Sequence, residues 1–87
     1  MPAKPSAAKR ARQAIKRRTR NRAYKSTLRN SLKQVTTALE AGDKAAAQVA
    51  LEAAVARLDK TVSKGVIHRN VAARCKSRLT RRVNRLA

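Results

Sequence analysis

From Ser6 to Ala41 the chain has neither proline nor glycine, and from Ser6 to Lys33 it has neither aspartate nor glutamate. The first absence permits one very long helix. The second loads that helix with charge that nothing nearby neutralises. Lys9, Arg10, Arg12, Lys16, Arg17, Arg18, Arg20, Arg22, Lys25, Arg29 and Lys33 all fall in this stretch, with Lys4 just ahead of it. Cations this dense repel one another until a polyanion arrives. The stretch therefore calls for helical geometry and an anionic partner together.

Apolar spacing divides the stretch in two. Tyr24, Leu28, Leu32, Val35 and Leu39 recur at steps of four, four, three and four, which puts them on one face of a helix. Ahead of them the only large apolar residue is Ile15. The sequence thus predicts a helix from about Ala7 to Glu40, N-capped by Ser6 and roughly 50 Å long at 1.5 Å per residue. Its first half has nothing with which to join a core and should project.

The run Glu40-Ala41-Gly42-Asp43 reads as a stop and a start. Glycine suits the left-handed position after a helix, and aspartate suits the N-cap of the next. A second helix is expected from Lys44 to Lys64, with Ala47, Leu51, Val55, Leu58 and Val62 inward and alanines that permit close approach. Lys64-Gly65 is a second stop. A third helix is expected from Ile67 to Leu86, on the stripe Ala72, Cys75, Leu79, Val83 and Leu86. The expected fold is all-α: an antiparallel three-helix bundle with a long, N-terminally extended first helix. It forms a single domain over 1–87, with a disordered leader (1–5), a basic helical arm (6–22) and the bundle (23–87).

Charge follows the same division. The 87 residues carry 23 Lys and Arg against 4 Asp and Glu, for a net +19. All four acids lie in the middle, between Glu40 and Asp59, and both ends are purely cationic. The functions this excludes are many. One His and one Cys cannot build an ordinary zinc cluster, and a lone Cys75 cannot form an internal disulfide. No glycine-rich phosphate loop is present, and the acids show no pairing for acid–base work. No catalytic activity, cofactor or metal is expected. No stretch is apolar enough to span a membrane, and the N-terminus lacks a secretory signal, so a cytoplasmic location is the default.

Turning each helix about 100° per residue places the cations. Lys9, Arg12, Lys16 and Arg20 form one row; Arg10 and Arg17 lie on another side; Arg18, Arg22, Lys25 and Arg29 lie on a third. Charge nearly all round suits insertion among several backbones, as in a folded RNA. In the third helix Arg74, Arg78, Arg81 and Arg85 form a narrow row away from the apolar stripe. Such rows meet successive phosphates through guanidinium forks. Asn21, Asn70, Ser77 and Thr80 can add hydrogen bonds to phosphate or ribose. One cationic row by itself is as readily a solvated face; two acid-free blocks of cations are not. The chain has no Phe or Trp, and Tyr24 sits on the apolar stripe, so stacking platforms for base reading are missing. Recognition should be of backbone and shape. His68 reads from the residues alone as a helix-end side chain, and Cys75 as a small buried hydrophobe.

Three segments resemble the bacterial small-subunit ribosomal protein S-twenty family. They are Ser6-Ala7-Ala8-Lys9-Arg10, then Glu40-Ala41-Gly42-Asp43-Lys44-Ala45-Ala46-Ala47, then the run from Lys64-Gly65-Val66-Ile67-His68 through Asn70, Ala72-Ala73-Arg74 and Lys76-Ser77-Arg78-Leu79. The likeness covers essentially the whole chain. It implies a three-helix bundle that binds 16S ribosomal RNA within the small subunit, as a structural constituent acting during assembly, with few protein contacts and no homo-oligomer. It marks Lys9, Arg10, Lys64, His68, Asn70, Ala72, Ala73, Arg74, Lys76, Ser77 and Arg78 as RNA-facing or close-approach positions. Arg69 and Arg82, on the same helix, join the candidate set. Val71 and Cys75 stand where relatives often carry basic or polar side chains.

Two other readings remain at this stage. A nucleoid-type DNA-binding protein would share the charge pattern. A membrane-active cationic helix would also be basic, but the arm lacks the apolar face such helices need.

Overall fold

The structure, a computed structural model, describes residues 5–86. It consists of α1 (Pro5–Ala41), α2 (Lys44–Ser63) and α3 (Arg69–Asn84), with no strand among the described residues. The all-α, three-helix expectation with a long first helix holds. The leader proposed at the N-terminus lies, apart from Pro5, outside the described residues. Pro5 is itself helical, so Ser6 is in the first turn and is not the N-cap. A proline is tolerated there because a first-turn N–H has no carbonyl to reach.

Two glycines set the corners. Gly42 and Gly65 have φ of 70° and 71°, the left-handed conformation that other residues avoid. Each sits at the centre of the same closing motif. After α1, the N–H of Gly42 donates to Leu39 O at 3.1 Å and that of Asp43 to Ala38 O at 3.2 Å. After α2, Gly65 donates to Val62 O at 2.9 Å and Val66 to Thr61 O at 3.1 Å. These paired bonds satisfy carbonyls that a helix end would otherwise orphan. Asp43 serves both sides of its corner, since its carboxylate also accepts the Ala46 N–H at 3.1 Å and caps α2.

The third helix starts two residues later than its sequence pattern suggests. His68 is its N-cap, with Nδ1 accepting the Asn70 N–H at 3.1 Å. Val66 and Ile67 belong to the turn. Ile67 packs on the cluster that contains Ala72, four residues into the helix, in the manner of a hydrophobic staple.

Packing gives the topology. One core cluster joins Leu28 of α1, Leu58 of α2 and Ala72 of α3; the other joins Val35, Ala47, Ala54, Leu79 and Val83. Between the clusters residue numbers rise along α1, fall along α2 and rise along α3. The helices are therefore antiparallel in sequence order, and α2 packs against both neighbours while α1 and α3 touch far less. The deepest line on α2 is Ala47, Ala54, Leu58 and Thr61, whereas the larger Leu51, Val55 and Val62 are half-buried. Small residues lie where the helices approach most closely. Buried Thr61 is satisfied internally, its hydroxyl donating to Arg57 O at 2.6 Å.

Chain length explains the outline. α1 has 37 residues and α2 has 20, so at 1.5 Å per residue α1 outruns its partner by about 25 Å. The molecule extends 66 Å in one direction and 21 and 15 Å in the others. One heptad before Leu28 the core line of α1 holds Asn21, and one heptad before Tyr24 it holds Arg17. At that point the apolar line becomes polar and the bundle ends. Ile15 is 62% exposed, in keeping with its isolation.

Ala54 is fully buried at the junction of the three helices. Ala54→Leu should overpack that junction and cost about 1–3 kcal/mol in denaturant unfolding. Ala53→Leu, at an exposed neighbour, should change stability by less than about 0.5 kcal/mol.

Candidate nucleic-acid interface

The fold presents the cations as two surfaces. On α1, Lys9, Arg10, Arg12, Lys16, Arg17, Arg18, Arg20, Arg22, Lys25 and Arg29 are all exposed. Up to the root of the arm no side of the helix is apolar, so charge surrounds it. Ala14, Arg17, Arg18, Asn21, Arg22 and Lys25 line an open hollow along this helix. Beyond Tyr24 one wall belongs to the core, and Lys25, Arg29 and Lys33 flank the half-buried Leu32.

On α3 the separation is sharper. Ala72, Leu79 and Val83 are buried, and Arg74, Arg78, Arg81 and Arg85 lie on the far side, all exposed. Asn70 and Ser77, also exposed, fall beside this row by helical spacing. A second hollow, of about 410 Å³, is lined by Val71, Arg74, Cys75, Arg78, Leu79 and Arg82. Its residues alternate between an apolar floor and a guanidinium rim. Val71 is 55% exposed, so it stands in the surface and does not extend the core. Cys75 is half-buried, and burial raises its thiol pKa while nearby Arg78 pulls the other way. It stays a protonated thiol at neutral pH.

Leu32 and Cys75 each pack on both core clusters without being fully buried. They mark the seam between the two clusters, one on α1 and one on α3, helices that touch each other only slightly. The cations near this seam come from both helices, and no acid is present on either one except Glu40 at the end of α1.

Several expected site residues have local duties. Lys76 is half-buried and forms an ion pair with Asp59 of α2, the one ion pair among the described residues. Its charge is partly committed to holding α3 against α2. His68 caps α3 through Nδ1 and remains exposed. Lys64 is the C-cap of α2 and Arg69 opens α3, both exposed. Arg20 is exposed, but its Nη2 donates to Lys64 O at 3.2 Å, joining the arm to the end of α2.

Sequence reasoning passed over Arg57, which it placed in the neutral block and assigned no role. The structure puts it beside Arg20, Ala23, Tyr24 and Thr27 at the root of the arm. The available signal was helical phase: Arg57 lies about 60° from the Ala54 line, on the side toward α1.

Comparison with known proteins agrees with the resemblance seen in the sequence. The family described as "Ribosomal protein S20" matches residues 2–84. A protein of Thioalkalivibrio sulfidiphilus named "Small ribosomal subunit protein bS20" is 60% identical over 78 residues, 90% of this chain and 91% of its own length. Proteins of the same name from Pelobacter propionicus and Alkalilimnicola ehrlichii are 53% identical over 81 residues and 49% identical over 82, covering 93% and 94% of this chain and 93% of each relative.

Proposed function

The chain belongs to the bacterial ribosomal protein S-twenty family, and from that premise we propose that it binds 16S ribosomal RNA directly and stabilises the RNA fold as the small subunit assembles. It works in the cytoplasm as part of the ribosome. RNA is its main partner, with few protein contacts and no self-association, which a net charge of +19 opposes. The family lends no support to the duplex-DNA reading.

One observation carries the proposal. Two helices display exposed cations at successive turns, and among the described residues only Lys76 has a carboxylate partner. A surface left this uncompensated is complementary to closely spaced phosphates. Binding replaces condensed counterions with guanidinium and ammonium groups, and the released ions drive association. Arginine dominates the α3 row, where its planar fork can hold two phosphate oxygens at once. Asn70 and Ser77 supply neutral donors beside the row. His68 and Lys64 sit at the α2–α3 corner, where backbone can approach closely. Lys9, Arg10, Arg12, Lys16, Arg17, Arg18 and Arg22 serve the arm; Lys25 and Arg29 carry its surface onto the bundle. Arg69, Arg81 and Arg82 complete the α3 side.

The arm is a distinct part, residues 6–22, with the bundle at 23–87. Its cations crowd the end of a helix whose dipole disfavours them. It gains almost no burial to offset nucleation. RNA supplies both the counter-charge and the contacts, so the arm's helix becomes stable on binding.

Arg74→Ala or Arg78→Ala should weaken binding to 16S ribosomal RNA about fivefold near 50 mM salt, by a factor that shrinks as salt rises. Equal losses at low and high salt would contradict phosphate pairing. In free protein the amides of residues 7–22 should exchange with little protection while those of the bundle are protected. Adding RNA should protect both; strong protection of the arm without RNA would refute folding on binding.

A further inference from the structure

The C-terminal end of α2 meets α1 at the root of the arm, and the two helices border a small, open hollow of about 140 Å³. It is lined by Arg20, Ala23, Tyr24, Thr27 and Arg57. Two cations from different helices share it, and none of its lining residues is acidic. The closest acid in sequence to Arg57 is Asp59, which is paired with Lys76 on another side of α2. Two arginines lining one hollow repel each other unless something anionic lies between them.

Arg20 is held in place. Its Nη2 donates to the carbonyl of Lys64, the C-cap of α2. The Lys64 N–H bonds back into the helix, but its carbonyl lies past the last helical acceptor and carries the partial negative charge of a helix end. The same Nη2 also donates to Asn21 Oδ1 at 3.5 Å, and the remaining donors of the guanidinium, on Nη1 and Nε, make no hydrogen bond within the described residues. Thr27, by contrast, spends its hydroxyl on Ala23 O at 3.0 Å. The free polar capacity of the hollow is therefore that of Arg20, Arg57 and Tyr24.

We propose that this hollow seats a single RNA phosphate, clamped between Arg20 of α1 and Arg57 of α2. The inference rests on the RNA-binding reading above and adds a site on the helix that composition marks as neutral. A phosphate seated here bridges α1 and α2 just where the arm leaves the bundle, so it also sets the arm's direction. Arg57 is then an RNA ligand, and Lys64 O positions its partner.

The test is the salt dependence of the affinity of the full-length protein for intact 16S ribosomal RNA, in wild type, Arg57→Gln and Lys60→Gln. Lys60 is exposed on α2 outside the hollow and controls for loss of one general charge. Arg57→Gln should lose about fivefold in affinity at low salt and flatten the slope of log K against log salt by roughly 0.7–0.9, one phosphate's worth. Lys60→Gln should change the slope by much less. Arg57→Lys keeps the charge and should keep most of the slope. The losses from Arg20→Gln and Arg57→Gln should be less than additive, because both release one phosphate. Equal slopes for Arg57→Gln and Lys60→Gln would overturn the site while leaving the proposed function standing. A wild-type protein with no saturable, salt-dependent binding would remove both.

Discussion

Repulsion between α1 and α3 is the constraint that the rest of the structure answers. Each helix is cationic along its exposed surface, and the chain must still bring them together. The solution is an intervening helix of different composition. α2 and its N-cap Asp43 carry three of the chain's four acids, and α2 meets both neighbours, while α1 and α3 have little direct contact. Two of the four residues on its buried line are alanines, and Leu58 is the one large side chain there. The one ion pair among the described residues, Lys76 with Asp59, ties α3 to this helix and not to α1. Keeping α1 and α3 apart separates the charges and leaves two surfaces for one partner.

The corners connect this packing to function. Gly42 and Gly65 end their helices abruptly, so α2 is only 20 residues long against 37 in α1. The difference in length is the arm. Because α2 ends where the apolar line of α1 gives way to Asn21 and Arg17, the core and the cationic strut meet at a definite point. Arg20 bonds to the end of α2 at that point. The same geometry that finishes the bundle starts the extended surface.

Much of this was legible in the sequence because it depends on local chemistry. Glycine at a helix end and aspartate after it are read from backbone preference alone, and Gly42, Asp43 and Gly65 do what those preferences dictate. The charge blocks are visible without any structure. What was not legible depends on tertiary distance. Leu51, Val55 and Val62 outweigh Ala54 and Thr61 in any hydrophobic pattern, yet the smaller residues are the buried ones, since closeness of approach decides depth. Ile67 looks like the start of a helix because it is apolar; it forms part of a turn and a staple because His68 supplies the cap. The pairing of Arg20 with Lys64 O spans 44 positions, and no periodicity within α1 reveals it. The same holds for Arg57.

The most direct test of the account is the thermal midpoint of the free protein as sodium chloride rises from about 20 to 500 mM. Over that range the screening length falls to a few ångströms. If repulsion between the two cationic helices is what α2 must overcome, the midpoint rises steadily with salt. Ala54→Leu, which weakens packing and leaves charge unchanged, shows the same rise from a lower start. A midpoint that is flat or falls with salt would mean that the like charges do not strain the fold, and would contradict the central role given to the neutral helix.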